Sequence, residues 1–281
     1  MNVEDVAVLP ASTTAGWPCR ACQDRAWTPR NLVRRFPTRQ FDLGDEAGST
    51  CTISQLLAAS DPASYIFDAL PAADDALLGD YSAPAGAPAA PEQDPLHYLV
   101  TSPQLRPRFR WFLVGVRGSG FTAHQDPHGT CAWNALVHGR KRWAVLPPDT
   151  PPEAVFPGFA GGGQQPLPAR LATARGWFEH ALPLLLQAPP PGLRCFTQEE
   201  GEVVLLPAGW WHCCETLSPV SAGVTQNWLS RQGFERELAK LGPASALAAQ
   251  WRRRAEAALG AGSGLEGGDA GERPSGRLGA E

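Results

Sequence analysis

The chain has 281 residues, 43% of them hydrophobic and 19% charged, with a formal net charge of −4. Those values describe a soluble chain able to bury a sizeable core, and they exclude the strongly basic balance of a nucleic-acid-binding domain. Gly and Pro number 29 and 28, so many turns and at least one unstructured stretch are expected.

Met1 to Pro10 carries no basic segment followed by a long apolar run, so no signal peptide is read, and Val3 to Leu9 has the texture of a strand. An intracellular location, nuclear or cytoplasmic, is therefore expected. The seven cysteines stand at 19, 22, 51, 131, 195, 213 and 214. Their irregular spacing does not fit a disulfide framework, and Cys19-x-x-Cys22 has no second pair to complete a zinc site. Free thiols are the reading. Trp27-Thr28-Pro29 marks a helix start. Asn31 to Phe36 and Ile53 to Ala59 carry the apolar spacing of short amphipathic helices. Residues 71–91, rich in Pro, Ala and Gly, read as a loop or linker. The whole of 1–108 is thus a helical and loop support region.

From Phe109 the texture turns to short β-rich runs closed by Gly or Pro: Phe109 to Val116, Arg142 to Leu146 and Val203 to Leu206. Strands alternating with turns over 109–232 argue for an antiparallel sandwich or small barrel. Residues 147–191 read as a Pro/Gly-rich surface excursion inserted into it. Their most apolar part, Ala181 to Gln187, is too short to span a bilayer. A helical pattern follows over 233–259, broken near Gly242-Pro243. It can pack on the barrel or contact a second copy, and Arg252-Arg253-Arg254 reads as a solvated face. Residues 260–281, Gly-rich and nearly free of aliphatics, are expected to be disordered.

Chemistry concentrates around His124-Gln125-Asp126. On a strand, positions i and i+2 share a face, so one strand end supplies an imidazole and a carboxylate together. His212, after the strand Val203 to Leu206 and the turn Pro207-Ala208-Gly209, is the candidate third ligand. Two histidines and one carboxylate on one face of an octahedron leave positions open, the arrangement of non-heme Fe(II) oxygenases. Zinc accepts the same donors. His128 lies beyond Pro127 and reads as a neighbour or surface residue, and His97, His138 and His180 read as core or solvated histidines.

An oxygenase of this kind commonly draws electrons from 2-oxoglutarate, whose distal carboxylate needs a cation and hydroxyls in an apolar pocket. Of 24 basic residues only Lys141 and Lys240 are lysine. Lys141, between Arg140 and Arg142, reads either as that pocket cation or as a solvated strand end. In the run Ser221 to Trp228, Ser221, Gly223, Thr225 and Asn227 share one face, and Ala222, Val224, Gln226 and Trp228 the other. That pattern fits a barrel wall lining a cavity. Thr225 can donate to a carboxylate there and Asn227 can orient a neighbour.

The segments WFLVGVRGSGFTAHQDPHGTCAWNALVHGRKRWAVLPP, GEVVLLPAGWWH and VTQNW, with WTPRNLVRRF and Tyr65-Ile66-Phe67-Asp68 upstream, resemble the JmjC-domain oxygenases over about residues 17–228. Within that family the likeness is greatest to the bifunctional arginine demethylases and lysyl hydroxylases. The resemblance implies a mainly β double-stranded β-helix, a cupin-like jelly roll with helical elements at both ends. It implies Fe(II) on His124, Asp126 and His212, and 2-oxoglutarate held by Lys141, Thr225, Asn134 and Tyr65, with Asn227 and Trp211 beside them. The implied activity is hydroxylation of a protein side chain using dioxygen, with N-methyl demethylation or a binding module without turnover as alternatives. The sequence departs from the subfamily at Phe121, where a threonine is usual, in one extra residue between His212 and Thr225, and in lacking its N-terminal helices and basic tail.

Overall fold

Strands that alternate apolar and small polar residues need two faces with different surroundings, and the computed structural model supplies both. It describes residues 4–45, 47–70, 76–85, 87, 94, 108–159, 167–240, 242 and 245–260. The strands are β1 (Ala7–Leu9), β2 (Phe41–Asp42), β3 (Thr50–Cys51), β4 (Tyr65–Ala69), β5 (Arg110–Val116), β6 (Gly120–His124), β7 (Cys131–His138), β8 (Lys141–Leu146), β9 (Arg194–Gln198), β10 (Val203–Leu206), β11 (Trp211–Thr216) and β12 (Val220–Trp228). One sheet runs β1-β10-β7-β12-β5-β4, and a second runs β6-β11-β8-β9, while β2 and β3 form a small ribbon. From β5 onward, β5, β7, β10 and β12 fall in the larger sheet and β6, β8, β9 and β11 in the smaller. This alternation winds the chain into a double-stranded β-helix, and the fold is mainly β, as expected.

The outer face of the larger sheet is apolar. Phe112, Val114, Trp133, Ala135, Val224 and Trp228 share one core with Trp17, Trp27, Leu32, Phe41, Ile53 and Leu56 of the N-terminal region. The covering helices are α1 (Pro18–Ala21), α2 (Pro29–Arg35) and α3 (Ile53–Ala59). Thr28 caps α2 by accepting from the Asn31 amide, and Thr52 with Gln55 forms a reciprocal capping box on α3. Asp80, fully buried, holds this layer together. Its carboxylate pairs with Arg25 and Arg35 at 2.6 and 2.7 Å and accepts from the Trp27 indole at 2.8 Å.

Residues 147–191 correct the sequence reading. They hold α4 (Pro152–Val155), α5 (Ala174–His180) and α6 (Leu182–Leu185). Val155, Phe156, Leu171, Trp177, Phe178 and Leu185 cover Ala144, Leu146 and Cys213 on the outer face of the smaller sheet. The segment is structural cover rather than a surface excursion. Two of its prolines, Pro152 and Pro183, sit in the first turns of α4 and α6, where they suit helix starts, so a Pro-rich composition concealed a helical layer.

At the C-terminal end, α7 (Arg231–Lys240) and α8 (Ala246–Gly260) meet around Leu229, Phe234, Leu238 and Ala248. The expected break falls between them, where Gly242 has φ +82°. Arg252 pairs with Glu235 at 3.1 Å, so the arginine run is partly used between the two helices. No helix among the described residues is long and apolar enough to cross a membrane. His97, residues 261–281 and most of 71–91 lie outside the described residues.

Candidate metal centre

β6 and β11 pair with His124 directly opposite His212, and the two ring centroids are 4.2 Å apart. Asp126 follows β6 in extended backbone, φ −63° and ψ 142°, just before the turn Pro127–Gly129. Its Oδ1 lies 3.9 Å from His124 Nε2 and 3.8 Å from His212 Nε2. Ligand atoms of the three residues all fall within 4.8 Å of one another, the one such group among the described residues. Each histidine is oriented from behind. His124 Nδ1 lies 2.8 Å from the Thr122 carbonyl and His212 Nδ1 3.1 Å from the Trp210 carbonyl. A carbonyl only accepts, so each Nδ1 carries the proton and each Nε2 keeps its lone pair for a cation. Burial, and then the crowding against His212, lower the His124 imidazole from its ordinary 6.5 to about 4, against the pull of Asp126. The ring is therefore neutral at neutral pH and able to ligate.

A register shift shapes the rest of the rim. His212 faces His124, but Cys214 faces Phe121, so two steps on β11 match three on β6. The extra residue is a β-bulge. Regular alternation would send residues three apart to opposite faces, whereas Phe121 and His124 both line the cavity. Gly120, at φ +147°, allows this close pairing, since a Cβ there would fall 2.1 Å from the Cys214 carbonyl oxygen.

The cavity, about 280 Å³, lies between the two sheets and runs inward from these ligands past Asn134, Thr225 and Tyr65. Lys141 on β8 is 1% exposed, which favours the pocket reading of this residue over a solvated strand end. Its Nζ donates to the Tyr65 hydroxyl at 3.0 Å, and no carboxylate pairs with it among the described residues. Burial pushes the Lys141 ammonium down, but Tyr65 and Cys214 draw it up, and the net direction is upward. Burial also holds the Tyr65 phenol up, so at neutral pH the pair is a cation beside a neutral hydroxyl. Gly115, opposite Tyr65 in the sheet, makes room for that ring: a Cβ would stand 2.7 Å from Tyr65 Cε2. Asn134 Oδ1 is buried without a hydrogen-bond partner. Thr225 spends its hydroxyl proton on the Trp133 carbonyl at 3.0 Å, and the Asn227 amide donates to Thr130 Oγ1 at 2.9 Å.

A family model described as "JmjC domain, hydroxylase" matches residues 111–219. The chain carries a JmjC domain. Three curated proteins illustrate the similarity. The lysine-specific demethylase JMJ21 of Arabidopsis thaliana is 34% identical over 81% of this chain and 23% of its own length. The bifunctional arginine demethylase and lysyl-hydroxylase psr-1 of Caenorhabditis elegans is 30% identical over 80% of this chain and 56% of its own. The 2-oxoglutarate and iron-dependent oxygenase JMJD4 of Homo sapiens is 30% identical over 43% of this chain and 27% of its own. The aligned part of this chain thus spans between about a quarter and just over half of these relatives.

The structure brings together His124, Asp126 and His212 at one end of the cavity and places Tyr65, Asn134, Thr225 and Asn227 along its walls and floor, with Lys141 buried against the Tyr65 hydroxyl. Trp211 is a correction. Next to inward-facing His212 it must face out, where its indole donates to the Thr150 carbonyl at 3.0 Å and its ring meets Phe156. His138 ends β7 and pairs with Glu200 at 3.1 Å, and His180 is exposed at the end of α5. The His128 side chain lies outside the described residues. Sequence reasoning missed Phe67, Trp111 and Cys214 as lining residues. A signal existed for the first two: period-two alternation puts Phe67 on the face of Tyr65, and Trp111 on the face of Leu113 and Gly115.

Proposed function

We propose that the chain is an Fe(II)- and 2-oxoglutarate-dependent dioxygenase that hydroxylates a protein side chain. One observation carries the reading: a three-donor ligand set lines the same cavity as Tyr65, whose hydroxyl accepts from a buried Lys141 ammonium that has no carboxylate partner among the described residues. The residues fit the implied groups. Two imidazoles with Nε2 free and a carboxylate suit Fe(II) with positions left open, and the Lys141 ammonium with the Tyr65 hydroxyl supplies donors of the kind a carboxylate needs.

His124 Nε2, His212 Nε2 and Asp126 would hold the metal, which when bound supplies the oxygen-activating redox chemistry. Lys141 and Tyr65 would hold the distal carboxylate of 2-oxoglutarate, with Asn134 beside them. Thr225 joins them only by giving up its bond to the Trp133 carbonyl. Thr122 and Trp210 carbonyls keep the imidazoles in one tautomer, and Leu113, Ala132, Trp143 and Leu206 exclude water from the walls.

N-methyl demethylation is the second reading, favoured by the names of two relatives, lysine-specific demethylase JMJ21 and arginine-specific demethylase JMJ22. Both reactions begin with hydroxylation and differ in whether the product persists. The test is an iron- and oxygen-dependent succinate assay on a peptide library read by mass spectrometry. A stable one-oxygen mass gain supports hydroxylation, recovered formaldehyde supports demethylation, and full succinate yield from His124→Ala would overturn the ligand assignment. An intracellular polypeptide substrate belongs to the same reading.

A further inference from the structure

We infer that the cavity mouth admits an uncharged polypeptide side chain and rejects lysine and arginine, with Phe121 setting that preference; this rests on the oxygenase reading above. Three aromatic rings, Phe67, Trp111 and Phe121, line the cavity together with the ligand set. Phe67 and Trp111 stack with centroids 5.0 Å apart and planes 18° from parallel. Phe121 meets Phe67 in a T-shaped contact at 4.8 Å and Tyr65 at 5.5 Å. Gly44 presses on Phe67, where a Cβ would stand 2.9 Å from Phe67 Cβ. The rings are therefore spent on one another. An aromatic cage for a cation instead turns several ring faces toward one empty centre.

The charges agree with the packing. Among the described lining residues the sole carboxylate is Asp126, and it belongs to the ligand set. A lysine or arginine side chain entering here would leave water and find no free counter-charge among the described lining residues, while Lys141 already places a buried cation against Tyr65. Removing an ion from water without a partner is strongly unfavourable. An aliphatic or amide side chain escapes that penalty and gains contact with the apolar rim.

Phe121 is the residue that decides between these outcomes. The bulge on β6 turns its ring inward, and the ring centroid lies 6.0 Å from that of His124. Phe121 thus lines the cavity beside the ligand set. A carboxylate at this position would supply the missing counter-charge.

The test uses the full chain loaded anaerobically with Fe(II) and 2-oxoglutarate. Fluorescently labelled peptide pools with randomised flanks and a fixed central Leu, Asn, Lys or Arg are titrated by anisotropy, and oxygen is then admitted to measure succinate and peptide mass. The Leu and Asn pools should bind about tenfold more tightly than the Lys and Arg pools, a difference of one decade in Kd. Phe121→Leu should keep the preference, and Phe121→Asp should shrink or invert it. Tighter binding of Lys or Arg pools by the wild type would overturn the inference. So would failure of every pool to bind, or an unchanged preference in Phe121→Asp that folds by circular dichroism. Selective binding without succinate would support the recognition and overturn the oxygenase reading instead.

Discussion

The two ends of the cavity are built in different ways. The ligand end comes from one strand pair and the turn beside it: His124 and Asp126 are two residues apart, and His212 is the direct partner of His124 across the sheet. The floor is assembled from strands far apart in sequence, with Tyr65 on β4, Asn134 on β7 and Thr225 on β12 lining it and Lys141 on β8 buried against Tyr65. Its central contact, Lys141 to Tyr65, joins residues 76 apart. The ligand end sits at the rim, where His124 is half-buried, and the floor is closed. A site of this design can exchange oxygen and substrate at one end while holding a charged cosubstrate at the other.

Substitutions at the two ends should therefore separate cleanly. The largest effect is expected from His212→Ala or Asp126→Ala. Each should abolish turnover and weaken Fe(II) binding more than the roughly 10–100-fold that follows loss of a supporting partner, as read by metal analysis of anaerobically prepared protein. Lys141→Met should leave metal content unchanged. It should raise the KM for 2-oxoglutarate by about 10- to 150-fold, the equivalent of one charge-assisted hydrogen bond of about 1.5–3 kcal/mol. Metal loss in Lys141→Met would show that the two ends are not independent.

Tyr65→Phe is a smaller perturbation. It removes the acceptor of the Lys141 ammonium, and stability should fall by about 1–3 kcal/mol, the usual cost of a buried polar group left unpaired. Denaturant unfolding measures this, and added 2-oxoglutarate should recover part of the loss. The smallest effect concerns pH. The folded His124 pKa lies below its unfolded value, at about 4 against 6.5, so between those limits the unfolded chain binds more protons. The metal-free protein should lose stability as pH falls through that window, with a shallower slope in His124→Gln.

The same contrast explains what could be read in advance. His-x-Asp is local, and strand periodicity is enough to place both side chains together, so the ligand end was visible in the sequence. The strand Ser221 to Trp228 was readable for the same reason, because its two faces meet different surroundings. Lys141 stood out only by its rarity among arginines, and burial could not be seen without the fold. Three features escaped. The bulge that turns Phe121 inward depends on β11, about 90 residues away. Trp211 looked like a pocket residue until its neighbour His212 fixed which face it takes. The helical cover over 147–191 was hidden because prolines at helix starts and a few well-spaced large residues give a composition like that of a loop.

Whether the two ends form one site is tested most directly by anaerobic calorimetry of 2-oxoglutarate binding, with and without Fe(II), in wild type, Lys141→Met, His212→Ala and the double variant. Metal should tighten binding in the wild type, each single substitution should weaken it, and the double variant should bind no better than either. Equal affinity with and without Fe(II), together with unchanged binding by Lys141→Met, would contradict a shared site.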